Sequence, residues 1–301
     1  MKIKKPLINI IILNWNGYDD TIECIDSIKK INYHNWRITI IDNNSTDNSG
    51  IKLYKKYEKN PKIKIILNAK NSGFSGGNNL GMKRDLFNAD YFLLLNNDTI
   101  VEKNFLDWLI KDKKKLIAPA IYDYFSRNEL SKNDFPGKFN FIMGGGMGHP
   151  VKESTLQRID YASGCCWLIK KSIFKKTGGF NEKYFAYNEE IEWAYRLNKE
   201  GCEFYLNPKA IVWHKGARTS QKISGFKTKY LNRNIIWFER KYADKFQYLL
   251  FLLYFFTYKV PKTLFKIISS RRDIKKNMLS AYLGIKEGLF HKIKNKLKCA
   301  E

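Results

Sequence analysis

Residues 89–99 read ADYFLLLNNDT, and the fold turns on how this stretch is understood. The apolar run from Tyr91 to Leu95 predicts a strand buried on both faces, and it ends abruptly at Asn96, Asn97 and Asp98. Polar groups at the carboxyl end of such a strand stand where open α/β sheets bind ligands, because the loops leaving those ends form a crevice. A single aspartate after two neutral amides, Asp98, can hold a hard divalent cation through oxygen, and the cation can in turn hold a diphosphate. The same residues also suit a plain strand-ending turn, since Asn and Asp favour turns in any protein.

Upstream the pattern repeats. Leu7 to Leu13 (LINIIIL) predicts a first strand ending in Asn14-Trp15-Asn16-Gly17, and Asp19 or Asp20 is placed to cap a helix with apolar positions Ile22, Ile25, Ile28 and Ile31. Arg37 to Ile41 predicts a second strand, followed by the polar run Asp42-Asn43-Asn44-Ser45-Thr46-Asp47-Asn48-Ser49 and a helix to about Glu58. Lys62 to Leu67 predicts a third, followed by a glycine-rich loop from Asn71 through Gly76 and Asn78 to Asn79 that leads into a helix. Strands alternating with helices at this spacing predict βαβ units and a parallel sheet. Four strand ends would then offer Asn, Asp, Ser and Gly to one edge, which suits a nucleotide. The glycine loop lacks GK[ST] and does not read GxGxxG, so a Walker-type cradle is disfavoured and phosphate binding through a metal at Asp98 gains by comparison.

Downstream, Phe105 to Leu109 predicts a helix, Leu116 to Ile121 a strand, residues 126–150 an irregular stretch, and Tyr161 to Ile169 a strand. An aromatic loop at residues 184–188 then runs into a helix whose first turn carries Glu189, Glu190 and Glu192. Carboxylates suit the amino end of any helix. Beside an aromatic loop they could also supply a general base, since apolar shielding raises a carboxyl pKa toward neutrality. Two short strands, Glu203 to Leu206 and Ala210 to Trp213, precede His214, which stands at a strand end and is either structural or a ligand.

With 301 residues and 44% hydrophobic content the chain is long enough for a real core. The five cysteines, Cys24, Cys165, Cys166, Cys202 and Cys299, are odd in number and show no CxxC spacing, so neither a disulfide framework nor a zinc site is expected, and the chain reads as cytosolic. The basic, apolar start MKIKKPLINIIILNWNG looks like a secretion signal but is short, lacks a small-residue cleavage site and leads into a turn, as a first strand would. The formal charge of +25 is concentrated late: from Leu206 onward there are 22 Lys and Arg against 5 Asp and Glu. An anionic partner is implied, whether nucleic acid, an anionic membrane surface or a phosphorylated substrate, although part of the surplus is ordinary solvated surface.

Phe246 to Tyr258 (FQYLLFLLYFFTY) is apolar almost all round and bracketed by Lys245 and Lys259. Thirteen helical residues reach only about 20 Å, short of a hydrocarbon core of about 30 Å, so this segment cannot span a bilayer alone. Followed by Pro261 and by basic residues at Lys262, Lys266, Arg271, Arg272, Lys275, Lys276 and 292–298, it suits an interfacial anchor; the other reading is a helix buried on the core.

Taken together, ILNWNG, IDNNSTDNS, NSGFSGGNN, YFLLLNNDT, the long segment from YASGCCW to NEEIEWAYR, and VWHKG resemble, in that order, the family 2 glycosyltransferases and particularly their rhamnosyltransferase-like branch. The resemblance spans roughly Leu7 to Gly216 and implies a GT-A fold, an α/β architecture with a Rossmann-like, mainly parallel sheet. It also implies inverting sugar transfer from a nucleotide diphosphate donor, dTDP- or UDP-linked and with rhamnose as one sugar, to a glycan or lipid-linked acceptor in cell-surface polysaccharide synthesis. Residues 1–220 would form the catalytic domain, with 1–100 its nucleotide-binding half and 101–220 its acceptor half, and 221–301 a basic, aromatic helical extension. By the resemblance, Asn14, Trp15, Asn16, Asp42 and Asn44 would line the base and ribose pocket, and Asn71, Gly76, Asn78 and Asn97 would sit near the nucleotide and its diphosphate. Asp98 and His214 would serve a divalent metal, Mn²⁺ or Mg²⁺. Glu190 stands where the family usually has a catalytic aspartate, a departure by one methylene, with Glu189 or Glu192 as alternatives. The metal motif departs too, with amides before its single acid. The expected location is cytoplasmic, peripheral on the inner face of the cell membrane, with no nucleic acid partner. The alternatives are a sugar nucleotidyltransferase, which would need a GxGTR-like loop after the first strand where this chain has ILNWNG, and a nucleic-acid-binding or membrane-surface protein without catalysis, of which the charge lying beside an apolar segment favours the membrane.

Overall fold

The structure is a computed structural model that describes residues 5–151, 155–216 and 223–291. Its first half is built of β1 (Ile8–Asn14), α1 (Tyr18–Ile28), β2 (Trp36–Asp42), α2 (Ser49–Tyr57), β3 (Ile63–Leu67), α3 (Gly73–Arg84) and β4 (Tyr91–Asn96). β3, β2, β1 and β4 lie side by side in that order, all parallel. Both faces of β1 and β4 are covered by helices, which is why they read as unbroken apolar runs. In the registers Asn14 lies opposite Asp42 and Leu13 opposite Asn96, so the polar strand ends stand level.

Two local expectations change here. Gly17, not Asp19 or Asp20, caps α1, and both aspartates sit in its first turn where they face the helix dipole. The glycine-rich stretch is helix rather than loop from Gly73 onward. A methyl group on Gly77 would overlap Leu13, and one on Gly81 would stand 2.6 Å from Ile11 Cγ2. These two glycines bring α3 down onto β1, a packing role that outweighs their weak helix propensity.

The second half adds β5 (Thr99–Val101), α4 (Phe105–Lys111), β6 (Leu116–Asp123), β7 (Gly137–Asn140), β8 (Gly145–Gly148), β9 (Gln157–Ile159), β10 (Cys166–Lys170), α5 (Lys171–Thr177), α6 (Glu189–Lys199) and β11 (Phe204–His214). β10 enters antiparallel between β4 and β6, while β6 and β11 pair in parallel. The sheet is thus mainly parallel, with β10 reversed at its centre and β5 and β9 running antiparallel to β11 at its far side. Part of the stretch expected to be irregular forms the β7–β8 hairpin. The two short strands expected near residue 205 are one strand, its register shifted between Asn207 and Ile211, where Pro208 has no N–H to give the ladder.

Beyond residue 222 come α7 (Phe226–Tyr242), α8 (Lys245–Tyr254), a π-helical turn at Phe255–Lys259, α9 (Val260–Ser270) and α10 (Ile274–Phe290). Pro261 does not end the apolar helix; it lies in the first turn of α9, where a missing N–H costs least. Phe251 and Phe255 are buried against Ile235 and Ile236 of α7, whereas Phe246, Leu249, Leu253 and Phe256 face solvent. The segment therefore packs on the core with one face only. α10 lies against α7, where Gly284 and Gly288 allow close approach to Lys229 and Ile236. Among the described residues no helix is long and apolar enough to cross a membrane. The basic run at 292–298 lies outside the described residues.

Candidate active site

A cavity of about 330 Å³ opens at the carboxyl ends of β1, β4 and β11, the edge where the polar strand ends converge. Trp15, Asn71, Asn97, Asp98, Glu189, Glu190 and His214 all line it, so residues drawn from five separate stretches of chain meet in one place. Asn14, Asp42, Asn16, Asn44, Gly76 and Asn78 do not line the cavity. Asn14 and Asp42 lie buried behind it: Asn14 Nδ2 donates to Asp42 Oδ1 (2.7 Å) and Ser49 Oγ (2.9 Å), and Thr21 Oγ1 donates to Asn14 Oδ1 (2.9 Å). Asp42 also accepts from Ser45 Oγ at 2.6 Å and from Ser45 N at 3.1 Å. Asn16 staples the two loops, since its Oδ1 accepts from Thr46 N (2.7 Å). Asn44 is exposed, Gly76 packs against Ser72, and Asn78 Nδ2 bonds back to Phe74 O within α3.

The neighbour of Asn44, Asn43, is the residue that faces the cavity, and it ties the loops together. Its Nδ2 donates to Asn71 Oδ1 (2.9 Å) and Gly73 O (3.1 Å), and its Oδ1 accepts from Asn68 Nδ2 (3.0 Å) and Ser72 N (3.1 Å). In a run of eight polar residues nothing local tells which one turns inward.

On the far wall His214 bridges two buried carboxylates. Its Nε2 lies 3.2 Å from Asp98 Oδ1 and its Nδ1 2.9 Å from Asp134 Oδ2. Asp134 also accepts from Ser131 Oγ and Ser163 Oγ, each at 2.5 Å. Burial opposes ionisation of Asp134, but the bonds from His214, Ser131 and Ser163 outweigh it and hold the carboxyl below its usual range. Burial likewise disfavours a charge on His214, yet the carboxylates of Asp98 and Asp134 on either side keep its pKa well above the ordinary value. Asp134 escaped the sequence reading because it lies in an aperiodic stretch 80 residues from its partner. Lys215 anchors the chain just after: its N–H bonds Asp98 O at 3.0 Å and its buried ammonium bonds Asp20 at 2.6 Å and Glu23.

Asp98 and His214 present one carboxylate oxygen and one imidazole nitrogen side by side, with Nδ1 of the imidazole fixed by a carboxylate, the arrangement that orients a histidine ligand. Among the described residues no three or more His, Cys, Asp or Glu side chains are placed to hold one metal ion together. The donor set fits a divalent cation that shares its shell with substrate phosphate oxygens and water, as Mg²⁺ and Mn²⁺ sites commonly do, rather than a closed protein cage.

Glu189 and Glu190 face the same cavity from the start of α6, and each has a buried Oε2 with no hydrogen-bond partner. Burial, with Glu190 alongside, holds Glu189 well above the carboxylate range. Burial pushes Glu190 up to about 7. Glu192, the third acid of that turn, is fully buried away from the cavity, paired with Arg196 at 2.9 Å and accepting from Tyr242 Oη at 2.6 Å. The cavity wall also extends past residue 220: Phe226 and Lys227 of α7 line it.

Sheet order, the level polar edge and the helical C-terminal extension define a GT-A fold. Residues 9–178 match the family model described as glycosyl transferase family 2, and the chain belongs to that family. It is 26% identical over 257 residues to the low-salt glycan biosynthesis hexosyltransferase Agl10 of Haloferax volcanii, covering 80% of this chain and 79% of that one. A shorter likeness, 35% over 68 residues covering 23% and 22% of the two chains, links it to the N-acetylglucosaminyl-diphospho-decaprenol L-rhamnosyltransferase of Mycobacterium tuberculosis. Among solved structures, the mannosyltransferase PcManGT from Pyrobaculum calidifontis, determined with GDP-Man and Mn²⁺, superposes with a TM-score of 0.58 at 12% identity, covering 96% of this chain and 89% of that one.

Proposed function

We propose that this glycosyltransferase inverts configuration at the transferred sugar and uses Glu190 as its general base. The observation that carries the reading is a carboxyl with a pKa of about 7 and an unpartnered oxygen, facing the cavity that Asp98 and His214 also line. A base poised near the working pH combines the right protonation state with driving force for proton transfer. Glu189, whose carboxyl burial and the neighbouring Glu190 hold well above the ordinary range, is the weaker candidate.

In this scheme the donor's nucleotide lies along the Trp15, Asn43 and Asn71 side and its diphosphate near Asn97 and Asp98. Asp98 and His214 would hold Mn²⁺ or Mg²⁺, which when bound neutralises charge gathering on the leaving diphosphate. Glu190 accepts the proton of an acceptor hydroxyl, whose oxygen forms the new bond to the anomeric carbon. The bond from that carbon to the diphosphate breaks, and its electron pair leaves with the nucleotide. Attack opposite the leaving group inverts the centre. A dTDP- or UDP-linked donor, with rhamnose as its sugar, draws support from the short similarity to a rhamnosyltransferase, and a glycan or lipid-linked acceptor from the glycan pathway of Agl10.

Two experiments test this reading. Glu190→Gln should lower transfer by about 10³-fold and leave donor binding nearly intact; transfer within tenfold of the parent, or binding lost along with it, would remove the base assignment. Thermal stabilisation by UDP, dTDP and GDP, each with and without Mn²⁺, reads the donor site directly, since a ligand of the folded state raises the midpoint by mass action. A manganese-dependent rise with dTDP or UDP supports the donor assignment, a rise with GDP alone replaces it, and no rise removes it.

The exposed row Phe246, Leu249, Leu253 and Phe256, with Phe265 and Ile268 also exposed and Lys262, Lys266, Arg271 and Arg272 nearby in sequence, supports attachment to an anionic membrane surface at the inner face of the cell membrane. Vesicles of phosphatidylcholine with phosphatidylglycerol should float the protein, and Leu249→Glu with Leu253→Glu should release it. Flotation unchanged by that pair, or retention on DNA at the same salt without flotation, would end the membrane reading.

A further inference from the structure

The chain that delivers the two glutamates to the cavity runs through unusual backbone. Phe185 has φ +61°, Tyr187 φ +68° and Asn188 φ +68°, three non-glycine residues in the left-handed half of φ space within four positions. Such backbone persists only where its surroundings hold it. Asn188 is also the residue that caps α6, one position before Glu189. Any relaxation at 185–188 therefore moves the start of the helix from which both carboxylates project.

The restraint comes from the C-terminal extension. Asn234, fully buried on α7, directs its side-chain amide Nδ2 at three carbonyls of this loop: Tyr184 O at 2.8 Å, Ala186 O at 2.9 Å and Tyr187 O at 2.6 Å. Two amide hydrogens serve three acceptors, so one is shared. The amide's orientation is set by its neighbour, since Arg233 Nε donates to Asn234 Oδ1 (2.9 Å) while Arg233 Nη2 donates to Lys183 O (3.1 Å) and Tyr184 O (3.0 Å). Tyr230, one helical turn earlier, stacks on Phe185 with ring centroids 5.1 Å apart. From the opposite side Ser75 N donates to Phe185 O (3.3 Å), and Gly73 has no Cβ to strike that carbonyl. The loop is thus gripped between α7 and the glycine-rich start of α3.

We propose that Asn234, oriented by Arg233, is a positioning residue for sugar transfer: it holds the strained loop that aims the Glu189–Glu190 pair into the cavity, so α7 is part of the catalytic unit and not an appendage to it. The proposal rests on the reading that this acidic pair acts on the acceptor.

The test is steady-state kinetics of the full chain. Asn234→Leu keeps the branched heavy-atom skeleton and removes the donors; it should lower kcat about 10²-fold, the cost of misplacing a reacting group by about an ångström, with donor KM and nucleotide-induced thermal stabilisation changed less than threefold. Asn234→Gln, which restores an amide on a longer arm, should recover part of kcat. Ile236→Val, a buried change on the same helix away from the loop, controls for loss of stability alone and should leave kcat within twofold. Should Asn234→Leu fail to fold, Asn234→Ser, which keeps one hydroxyl donor, carries the same split between kcat and KM. A folded Asn234→Leu or Asn234→Ser with kcat within twofold of the parent overturns the proposal, as does a fall in kcat matched by Ile236→Val. The two readings fail separately: activity surviving in Glu190→Gln while Asn234→Leu is slow takes away the base and leaves the clamp.

Discussion

The two walls of the cavity are built on opposite terms. On the β1–β2–β3 side, polar side chains satisfy one another: Asn14, Asp42, Ser45, Ser49 and Thr21 form one closed group, and Asn43, Asn68, Asn71 and Ser72 another. On the α6 side, Glu189 and Glu190 each bury an oxygen with no partner, and the backbone ahead of them is strained. Satisfied polar networks make a rigid, preformed wall. Unsatisfied carboxyls destabilise the fold and retain reactivity, the usual trade at a working site. The difference teaches that one wall is preformed and the other reactive, which on the proposed function makes the first the donor side and the second the side of chemistry.

Breaking the acid side should have the largest effect on turnover. Glu190→Gln is expected to lower kcat by about 10³-fold, within the range for a lost general base, whereas Glu189→Gln, at the carboxyl not proposed as the base, should cost far less. Parent kcat should rise with pH through about 7, following deprotonation of Glu190. A flat profile from pH 5 to 9 in Mn²⁺ would mean that another group takes the proton.

Next comes the carboxylate behind His214. Asp134→Asn removes the negative acceptor on Nδ1 and should weaken Mn²⁺ binding by about 10–100-fold, measured by titrating the metal in the presence of nucleotide diphosphate. Unchanged affinity would detach His214 from the metal.

Smaller effects fall on stability. Gly81→Ala drives a Cβ toward Ile11, fully buried in β1, and should cost about 1–3 kcal/mol by urea unfolding, with α3 displaced from the sheet. Glu190→Gln should act the other way. The folded-state pKa of Glu190 lies above its free value of 4.5, so its contribution is most favourable below pH 4.5 and is lost as pH rises through about 7. The variant should therefore match the parent near pH 4.5 and be more stable at pH 8 by about 1–3 kcal/mol, an amount that scales with the pKa displacement. Equal stability at both pH values would show that the carboxyl is better solvated than its position suggests.

Most of the fold was legible because its signals are local. Apolar runs of five to seven residues, each stopped by Asn or Asp, marked β1, β2 and β4 and put their polar ends on one edge. The glycine-rich stretch misled, because glycine is read locally as loop, whereas Gly77 and Gly81 serve contacts with Leu13 and Ile11 more than sixty residues away. For the apolar segment Phe246 to Tyr258 composition left two readings open, because it reports that a segment is apolar and not that Phe251 turns inward while Leu253 turns out.

For the site the division is sharper. By itself the sequence determined the order of strands and helices as far as β4, the chemistry offered at those strand ends, and the acid-rich start of α6, because periodicity, turn residues and capping act over a few residues. Only the tertiary structure decided that Asn43 rather than Asn44 faces the cavity, that β10 runs backward through the sheet, that Asp134 lies behind His214, and that Asn234 grips the loop before Glu189. Each of these joins elements that are distant in sequence or leaves one of several equivalent polar residues pointing inward. Packing and hydrogen-bond closure of the whole chain make that choice, and no local propensity encodes it.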